Sequence, residues 1–337
     1  QRFLLGPVRD VVASRRAASA APTLLGVAGY SMFPQAAMDF LGADYGICGE
    51  GEAAFVALLA ALERKADPAG LPGVFAAGRP PLASRDYLLD LTQHPLPGGD
   101  LWQAVDRSRS DLWIPVQTRR GCPLDCSYCS TADIEGRRVR MRDAAAVVDY
   151  LAGAAAAGFR QFYFVDNTFN LPTSYALDLC GRIAERDLDI QWRCILYPHQ
   201  LPDELADAMA RAGCVEVSLG FESGSPQVLH AMNKRFSPPE VREISDRLAA
   251  RGIRRSGFLL LGGPGETRKT VQESLAFAES LRLDFLKTSV GIRIYPRTPL
   301  ARLAVAEGQL AADDDLLTPR YYVRPELADW LGELHCG

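Results

Sequence analysis

The sequence holds only four histidines in 337 residues, and no apolar run approaches the roughly 20 residues that a membrane-spanning helix needs. It also lacks an excess of positive charge: 37 Lys and Arg stand against 41 Asp and Glu, a formal net charge of -4. Phosphate-binding surfaces usually leave a basic footprint, so neither nucleic acid nor a membrane is an expected partner. No signal peptide is visible, although the chain opens on Gln1 instead of Met. Cysteine is sparse as well. Cys48, Cys180, Cys194, Cys214 and Cys336 are scattered singly, which is no disulfide framework for a chain of this length, and the expected compartment is the reducing cytoplasm. What remains is a globular composition, 48% hydrophobic, able to bury one large core or one large and one small.

The other three cysteines are crowded into eight residues. Gly121-Cys122-Pro123-Leu124-Asp125-Cys126-Ser127-Tyr128-Cys129 supplies three thiols at Cys-x3-Cys-x2-Cys spacing. A cubane [4Fe-4S] cluster has four irons, so three thiolates leave one iron open. A structural zinc site needs a fourth protein ligand, and only the fold could bring up His199 or Cys194 for that purpose. The spacing favours iron and sulfur at Cys122, Cys126 and Cys129.

Along the chain, Pro/Gly-rich stretches at 67–81 and 94–100 read as seams. Before them, residues 23–27 and 44–48 read as strands and 36–41 and 52–65 as helices, an α/β fragment. From Leu112 onward six strand–helix units follow. Strands are expected at 112–117, 161–165, 190–195, 215–219, 257–261 and 288–294. Helices are expected at 143–157, 173–186, 202–212, 238–251, 267–281 and 299–307, with start signals at Asp143, Thr173, Pro202 and Ser237 and closing glycines at Gly158 and Gly252. A short helix at 326–334 ends the chain. Such alternation allows an open doubly wound sheet or a partial (β/α)6 barrel, and both place chemistry at the carboxyl ends of strands. Those ends are polar or glycine-rich: Asp166-Asn167-Thr168-Phe169-Asn170, then Arg193 with Tyr197 and His199, then Gly220-Phe221-Glu222-Ser223-Gly224-Ser225. Gly262-Gly263-Pro264-Gly265-Glu266-Thr267 and Tyr295-Pro296-Arg297-Thr298-Pro299-Leu300 complete the set. Six strand ends, with the cysteine motif at the first, form one coherent site and favour the partial barrel.

Cys-x3-Cys-x-aromatic-Cys after a first strand, introduced by Thr118-Arg119-Arg120-Gly121, resembles the signature of the radical S-adenosylmethionine (SAM) superfamily. In that family the open iron binds the amino and carboxylate groups of SAM, and reduction of the cluster cleaves a carbon–sulfur bond. The resemblance implies that Tyr128 packs over the cluster and that the later strand ends face the cofactor. Glu222 and Ser223 sit in a segment similar to the family's GxESG, and Met232-Asn233-Lys234 resembles its MxK. Tyr295 to Leu300 resembles a YPGTPL element with Arg297 in the glycine place. Cofactor contacts are therefore expected from Tyr128, Asp166, Asn167, Arg193, Glu222, Ser223, Gly262, Gly263 and Tyr295. No residue is singled out as catalytic.

Further upstream, Leu24 to Pro34, Gly42-Ala43-Asp44, Cys48-Gly49-Glu50-Gly51-Glu52 and Leu71-Pro72-Gly73-Val74 resemble the second half of the Rossmann-like cobalamin-binding domain of cobalamin-dependent radical SAM enzymes. Read plainly, Glu50 to Glu52 is also a good helix start. The expected organisation is a partial cobalamin-binding-type domain over 1–95, the radical SAM partial barrel over 112–300 and an extension over 301–337. The expected cofactors are a [4Fe-4S] cluster, SAM and, as a candidate, cobalamin. The expected activity is methyl transfer to a small metabolite, with a reductant such as flavodoxin or ferredoxin. Two alternatives stay open. A non-cobalamin enzyme of this kind would cyclise or rearrange its substrate, or transfer the 3-amino-3-carboxypropyl group to a soft acceptor, for which Cys194 and Cys336 are candidate thiols. A non-enzymatic iron–sulfur or zinc module is the other.

Overall fold

The computed structural model describes residues 2–79, 87–98 and 111–336, with side chains from 5 to 333. From the amino end come α1 (Arg2–Ala18), β1 (Leu24–Leu25), α2 (Val27–Met32), α3 (Pro34–Leu41), β2 (Tyr45–Ile47), α4 (Gly51–Glu63) and β3 (Val74–Ala76). Next are β4 (Ile114–Val116), β5 (Arg119–Arg120), α5 (Thr131–Glu135), β6 (Arg140–Met141), α6 (Ala144–Ala156), β7 (Gln161–Phe164), α7 (Thr173–Glu185), β8 (Gln191–Leu196), α8 (Asp203–Arg211) and β9 (Cys214–Glu222). The last third holds α9 (Pro226–Ala231), α10 (Pro238–Ala249), β10 (Arg254–Leu261), α11 (Arg268–Ser280), β11 (Phe285–Val290), β12 (Ile292–Arg293), α12 (Pro299–Ala306), β13 (Tyr321–Tyr322) and α13 (Ala328–Cys336).

These elements gather into two compact units. The first collects Gln1–Leu89, Pro123–Arg137 and Arg293–Tyr322, and the second collects Asp90–Cys122, Arg138–Ile292 and Val323–Gly337. This division corrects the expected linear boundaries, above all the single extension over 301–337. Residues up to Tyr322 join the first unit through bonds such as Leu300 N–H to the Ser127 carbonyl (2.9 Å), while Val323 onward joins the second. Contacts of such long sequence separation leave no trace in local composition.

The second unit is built on a six-stranded sheet in the order β4-β7-β8-β9-β10-β11, with every neighbouring pair parallel. The order is strictly sequential. Right-handed crossovers then lay the helices on one face, whereas a doubly wound sheet reverses direction and covers both. Burial follows this winding. Phe162, Phe164, Trp192, Cys194, Leu196, Val217 and Leu219 are at most 1% exposed on the helix side, and the alternating Tyr163, Arg193, Glu216 and Ser218 are only half-buried on the other. Such sequential winding is shared with (β/α) barrels.

Local chemistry explains the helices. The Asp143 carboxylate accepts from Ala146 N–H at the start of α6, which buries Val147, Val148 and Leu151 and stops before Gly158 at φ 97°. Thr267 and Thr270 cap α11 reciprocally. The six expected strands match within a few residues, and the fifth and sixth each begin three residues early, at Arg254 and Phe285. Helices α1 and α9 and strand β3 had no expected counterpart.

The first unit holds a three-stranded sheet in which β1 and β2 are parallel and β3 is antiparallel to β2. Ile47, Leu58 and Val74 form its core, packed by Leu24, Tyr45, Ala54, Leu62 and Leu71. The Gly42-Ala43-Asp44 segment is structural here. Gly42 closes α3 in the left-handed region, and Asp44 accepts from Thr23 N–H (2.7 Å) and from Arg16 (2.6 Å). The buried ring of Tyr30 crosses Gly46 so closely that a Cβ there would lie 2.0 Å from the phenol oxygen, whereas one at Gly51 meets nothing nearer than 3.9 Å. Gly46→Ala should therefore cost about 1–3 kcal/mol by overpacking, and Gly51→Ala should be neutral or stabilising by up to about 1 kcal/mol. Urea unfolding of both variants checks the pair, and equal stabilities would contradict the packing.

Candidate active site

The chain leaves β4 into the cysteine loop through a buried polar lock. Asp166, two residues past β7 and fully buried, accepts from Thr118 N–H (2.7 Å), the Thr118 hydroxyl (2.5 Å) and Arg119 N–H (3.1 Å). Arg119 Nε lies 3.3 Å from the same carboxylate, and its Nη1 donates to the carbonyls of Phe169 (2.7 Å) and Leu171 (2.9 Å). The guanidinium also rests on the rings of Phe169 and Tyr175. Burial pushes the Asp166 carboxyl up from its ordinary range, against the pull of Arg119 and the Thr118 and Arg119 donors. Short strands β5 and β6 pair antiparallel, Arg142 N–H closes on the Thr118 carbonyl (2.9 Å), and Gly121 takes φ 92° just before Cys122. The backbone entering the motif is thus tied from several sides.

None of the three motif cysteines forms a disulfide; Cys122 is buried, Cys126 half-buried and Cys129 exposed. Cys129 N–H closes a turn on the Cys126 carbonyl (3.1 Å), and Thr131 N–H donates to the Cys129 sulfur at 3.5 Å. In the same unit Arg297 sits at φ 62°, the left-handed backbone that a glycine would adopt freely, and its guanidinium forks onto Asp133 at 2.5 to 3.2 Å. The departure from glycine therefore keeps the turn and adds a tie to α5. Tyr295 stacks on Arg293 (5.2 Å) and has its phenol pushed up, first by burial, with the Cys129 thiol among its neighbours. Among the described residues no three Cys, His, Asp or Glu side chains are grouped to hold a single metal ion.

Further along the sheet, Glu222 ends β9 at φ 63° and faces the buried ammonium of Lys234 at 3.4 Å. Lys234 also reaches the Gly220 carbonyl (3.4 Å) beneath the rings of Tyr197 and Phe236. The side-chain amide of Asn170 donates to the carbonyls of Tyr197 (2.9 Å) and His199 (3.0 Å) and accepts from Tyr197 N–H (3.1 Å), joining the loops after β7 and β8. Beyond β10, Gly262 and Gly263 donate their N–H groups to one oxygen of Glu266, at 2.5 and 2.8 Å. Burial raises the Glu266 carboxyl to about 7 against those two donors.

Residues 116–278 match the model of the Radical SAM superfamily. This segment is a radical SAM domain. It is 30% identical over 277 residues to an uncharacterized methyltransferase of Pyrococcus horikoshii, covering 79% of this chain and 59% of that protein. It is 25% identical to the tryptophan 2-C-methyltransferase of Streptomyces laurentii, covering 90% of this chain and 61% of the relative. A structure of the radical SAM methyltransferase TsrM of Kitasatospora setae, with cobalamin and a [4Fe-4S] cluster bound, matches with a TM-score of 0.77 at 26% identity, over 90% of this chain and 61% of that one. The chain therefore spans about three-fifths of the length of these relatives.

Along this chain the expected site residues fare differently. Tyr128 and Tyr295 lie in the first unit with Cys126 and Cys129, and the rest lie in the second with Cys122. Asn167 is half-buried just past β7 and Glu222 stands at the end of β9, as expected. Asp166 is a correction: its oxygens are taken up inside the fold, so it holds the loop instead of touching a cofactor. Ser223 is another, since its buried hydroxyl pairs with Ser274 (2.8 Å) and accepts from Ser225 N–H (3.1 Å). At Gly262 the close approach comes from the chain itself, because a Cβ there would meet Val323 at 3.0 Å and Leu331 at 3.2 Å. Arg193 is the third of six residues of β8, not at its carboxyl end. Cys194 is 1% exposed, and burial pushes its thiol well up, with the Cys214 and Cys180 thiols adding to the shift. A sealed, protonated thiol is no soft acceptor, and the side chain of Cys336 lies outside the described residues. Lys234 and Arg119 have no role legible in the sequence, because ion pairing across loops has no local signal.

The raised Glu266 carboxyl carries a pH signature. The folded form holds its proton up to about pH 7 while the unfolded chain releases it near 4.5, so stability falls as pH rises between those values, by up to about 3 kcal/mol. Glu266→Gln should remove that fall. Urea midpoints at pH 5 and pH 8 test it, and equal pH slopes in wild type and variant would contradict the shift.

Proposed function

We propose that this chain is the catalytic core of a cobalamin-type radical SAM methyltransferase acting on a small molecule in the cytoplasm, with electrons from a flavodoxin or ferredoxin. The observation that carries the reading is the Cys-x3-Cys-x2-Cys loop, launched from the first strand of a sequentially wound parallel sheet and fastened there by Asp166. Methyltransferase relatives at 25–30% identity over 79% and 90% of the chain support it. Cys122, Cys126 and Cys129 would hold a [4Fe-4S] cluster, and Glu222, Asn167, Tyr128 and Tyr295 would meet SAM. When bound, these cofactors supply reductive SAM activation at the open iron and, with a corrinoid, a carrier for the methyl group.

The chain's own part is to orient and to exclude water. Lys234 holds the Glu222 carboxylate in place, and the Phe169, Tyr197 and Phe236 rings dry the loops behind it. In the first unit, Gly26 to Phe33 follow β1 and border an apolar cavity of about 320 Å³ with Leu5, Val8, Ala37, Leu41 and Leu317. Val27 sits there at φ 67° with 81% of its surface exposed, the strained and solvent-facing backbone common at ligand sites. The turn from β1 into α2 would receive the corrinoid. His94, His199, His230 and His335 all fall in the second unit, so the segments of the first offer no imidazole to cobalt.

Two measurements test the proposal. After anaerobic reconstitution, Cys126→Ala should lose the brown cluster and more than 100-fold of SAM turnover, and an unchanged variant would sink the cluster assignment. In the wild type with substrate and cobalamin, mass spectrometry should find S-adenosylhomocysteine. Methylthioadenosine as the substrate-dependent product would instead promote aminocarboxypropyl transfer.

A further inference from the structure

One guanidinium in the second unit is held without an anion. Arg193 projects from the helix-free face of β8, with Trp113 4.4 Å and Tyr163 4.8 Å from its Cζ to the ring centroids. Its side chain makes no hydrogen bond or ion pair with any described residue, and Nε is buried in that condition. Other arginines in this part of the sheet are matched. Arg254 pairs with Glu216 at 3.1 Å, and Arg255 lies 3.6 Å from Asp284. Glu216, beside Arg193 in the β8–β9 register, is thus neutralised by Arg254 and receives the Ser256 hydroxyl at 3.4 Å. The rung Tyr163–Arg193–Glu216–Arg254 keeps one positive charge in excess.

Arg193 is half-buried, but its Nε is cut off from water without a partner, and the two nearby rings offset only part of that cost. The two rings take up the guanidinium carbon, and its N–H groups make no hydrogen bond to a described residue. What is left for a ligand is a planar fork of donors, which fits a carboxylate in a bidentate way and fits a neutral group poorly. The rings fix the fork in advance, so little side-chain freedom is lost on binding.

We infer that Arg193 anchors the carboxylate of the methyl acceptor, and so that the substrate is a small carboxylic acid. This rests on the methyl-transfer reading. Arg193 lies three residues before the end of β8, about 10 Å at the rise of a parallel strand. The acceptor must span that distance between its carboxylate and the carbon presented at the carboxyl end of the sheet. Arg193 is then a specificity-determining residue for the acceptor, not a SAM ligand.

The test is saturation-transfer NMR on the reconstituted full chain, with benzoate as the probe and benzamide as its neutral match. Benzoate should bind saturably in the millimolar range, at least tenfold tighter than benzamide, and Arg193→Met should erase that preference. Arg193→Lys, which keeps the charge without the fork, should recover only part of it. Equal binding of benzoate and benzamide to the wild type would overturn the inference, as would an unchanged preference in Arg193→Met. Should Arg193→Met fail to fold, the wild-type comparison still decides. SAM cleavage is assayed separately: a chain that prefers benzoate through Arg193 but never cleaves SAM overturns the methyl-transfer reading while the anion site stands.

Discussion

The fully buried Asp166 carboxylate is the constraint on which the rest of the second unit depends. A lone carboxylate in that position would be expensive, and the cost is offset because three donors and one guanidinium converge on it. All of those donors come from Thr118 and Arg119, the residues that lead into Cys122. Burial of one side chain past β7 thereby becomes a positional restraint on the start of the cysteine loop. Arg119 extends the restraint to the carbonyls of Phe169 and Leu171, and Asn170 carries it on to the loop after β8. Three successive strand ends are joined in this way before any cofactor is considered.

Sequential winding supplies the complementary feature. With the helices on one side, the opposite face of the sheet is free to carry Tyr163, Arg193, Glu216 and Ser218, residues too polar for a packed core. Their lack of full burial is what permits chemistry there. The helix side shows the contrast: Cys194, one residue from Arg193, is sealed against Cys180 and Cys214 and is chemically silent. A period of two along one strand separates a binding group from a core group.

Much of this was legible from the residues. The strand–helix alternation, the caps at Asp143 and Gly158 and the three-cysteine motif are local patterns, and local patterns survive without coordinates. The unreadable parts share a cause, which is dependence on partners far away in sequence. Asp166 looked like a cofactor contact because nothing local reveals that Thr118 and Arg119 consume it. Gly262 looked like room for a ligand until Val323 and Leu331, some 60 residues later, filled the space. Arg297 stands in the glycine place of its motif, yet its backbone keeps the left-handed angle and Asp133 meets its charge.

The account stands or falls on whether the buried lock governs the cluster loop. Asp166→Ala removes the acceptor and strands Arg119 as an unpaired buried charge, which should cost about 3–5 kcal/mol. Iron bound per chain after anaerobic reconstitution, read beside the urea midpoint, is the decisive measurement. The account predicts a variant that still folds at low temperature but holds less than half the wild-type iron. A variant with wild-type iron content and an unchanged midpoint would show that the cysteine loop is positioned by something else.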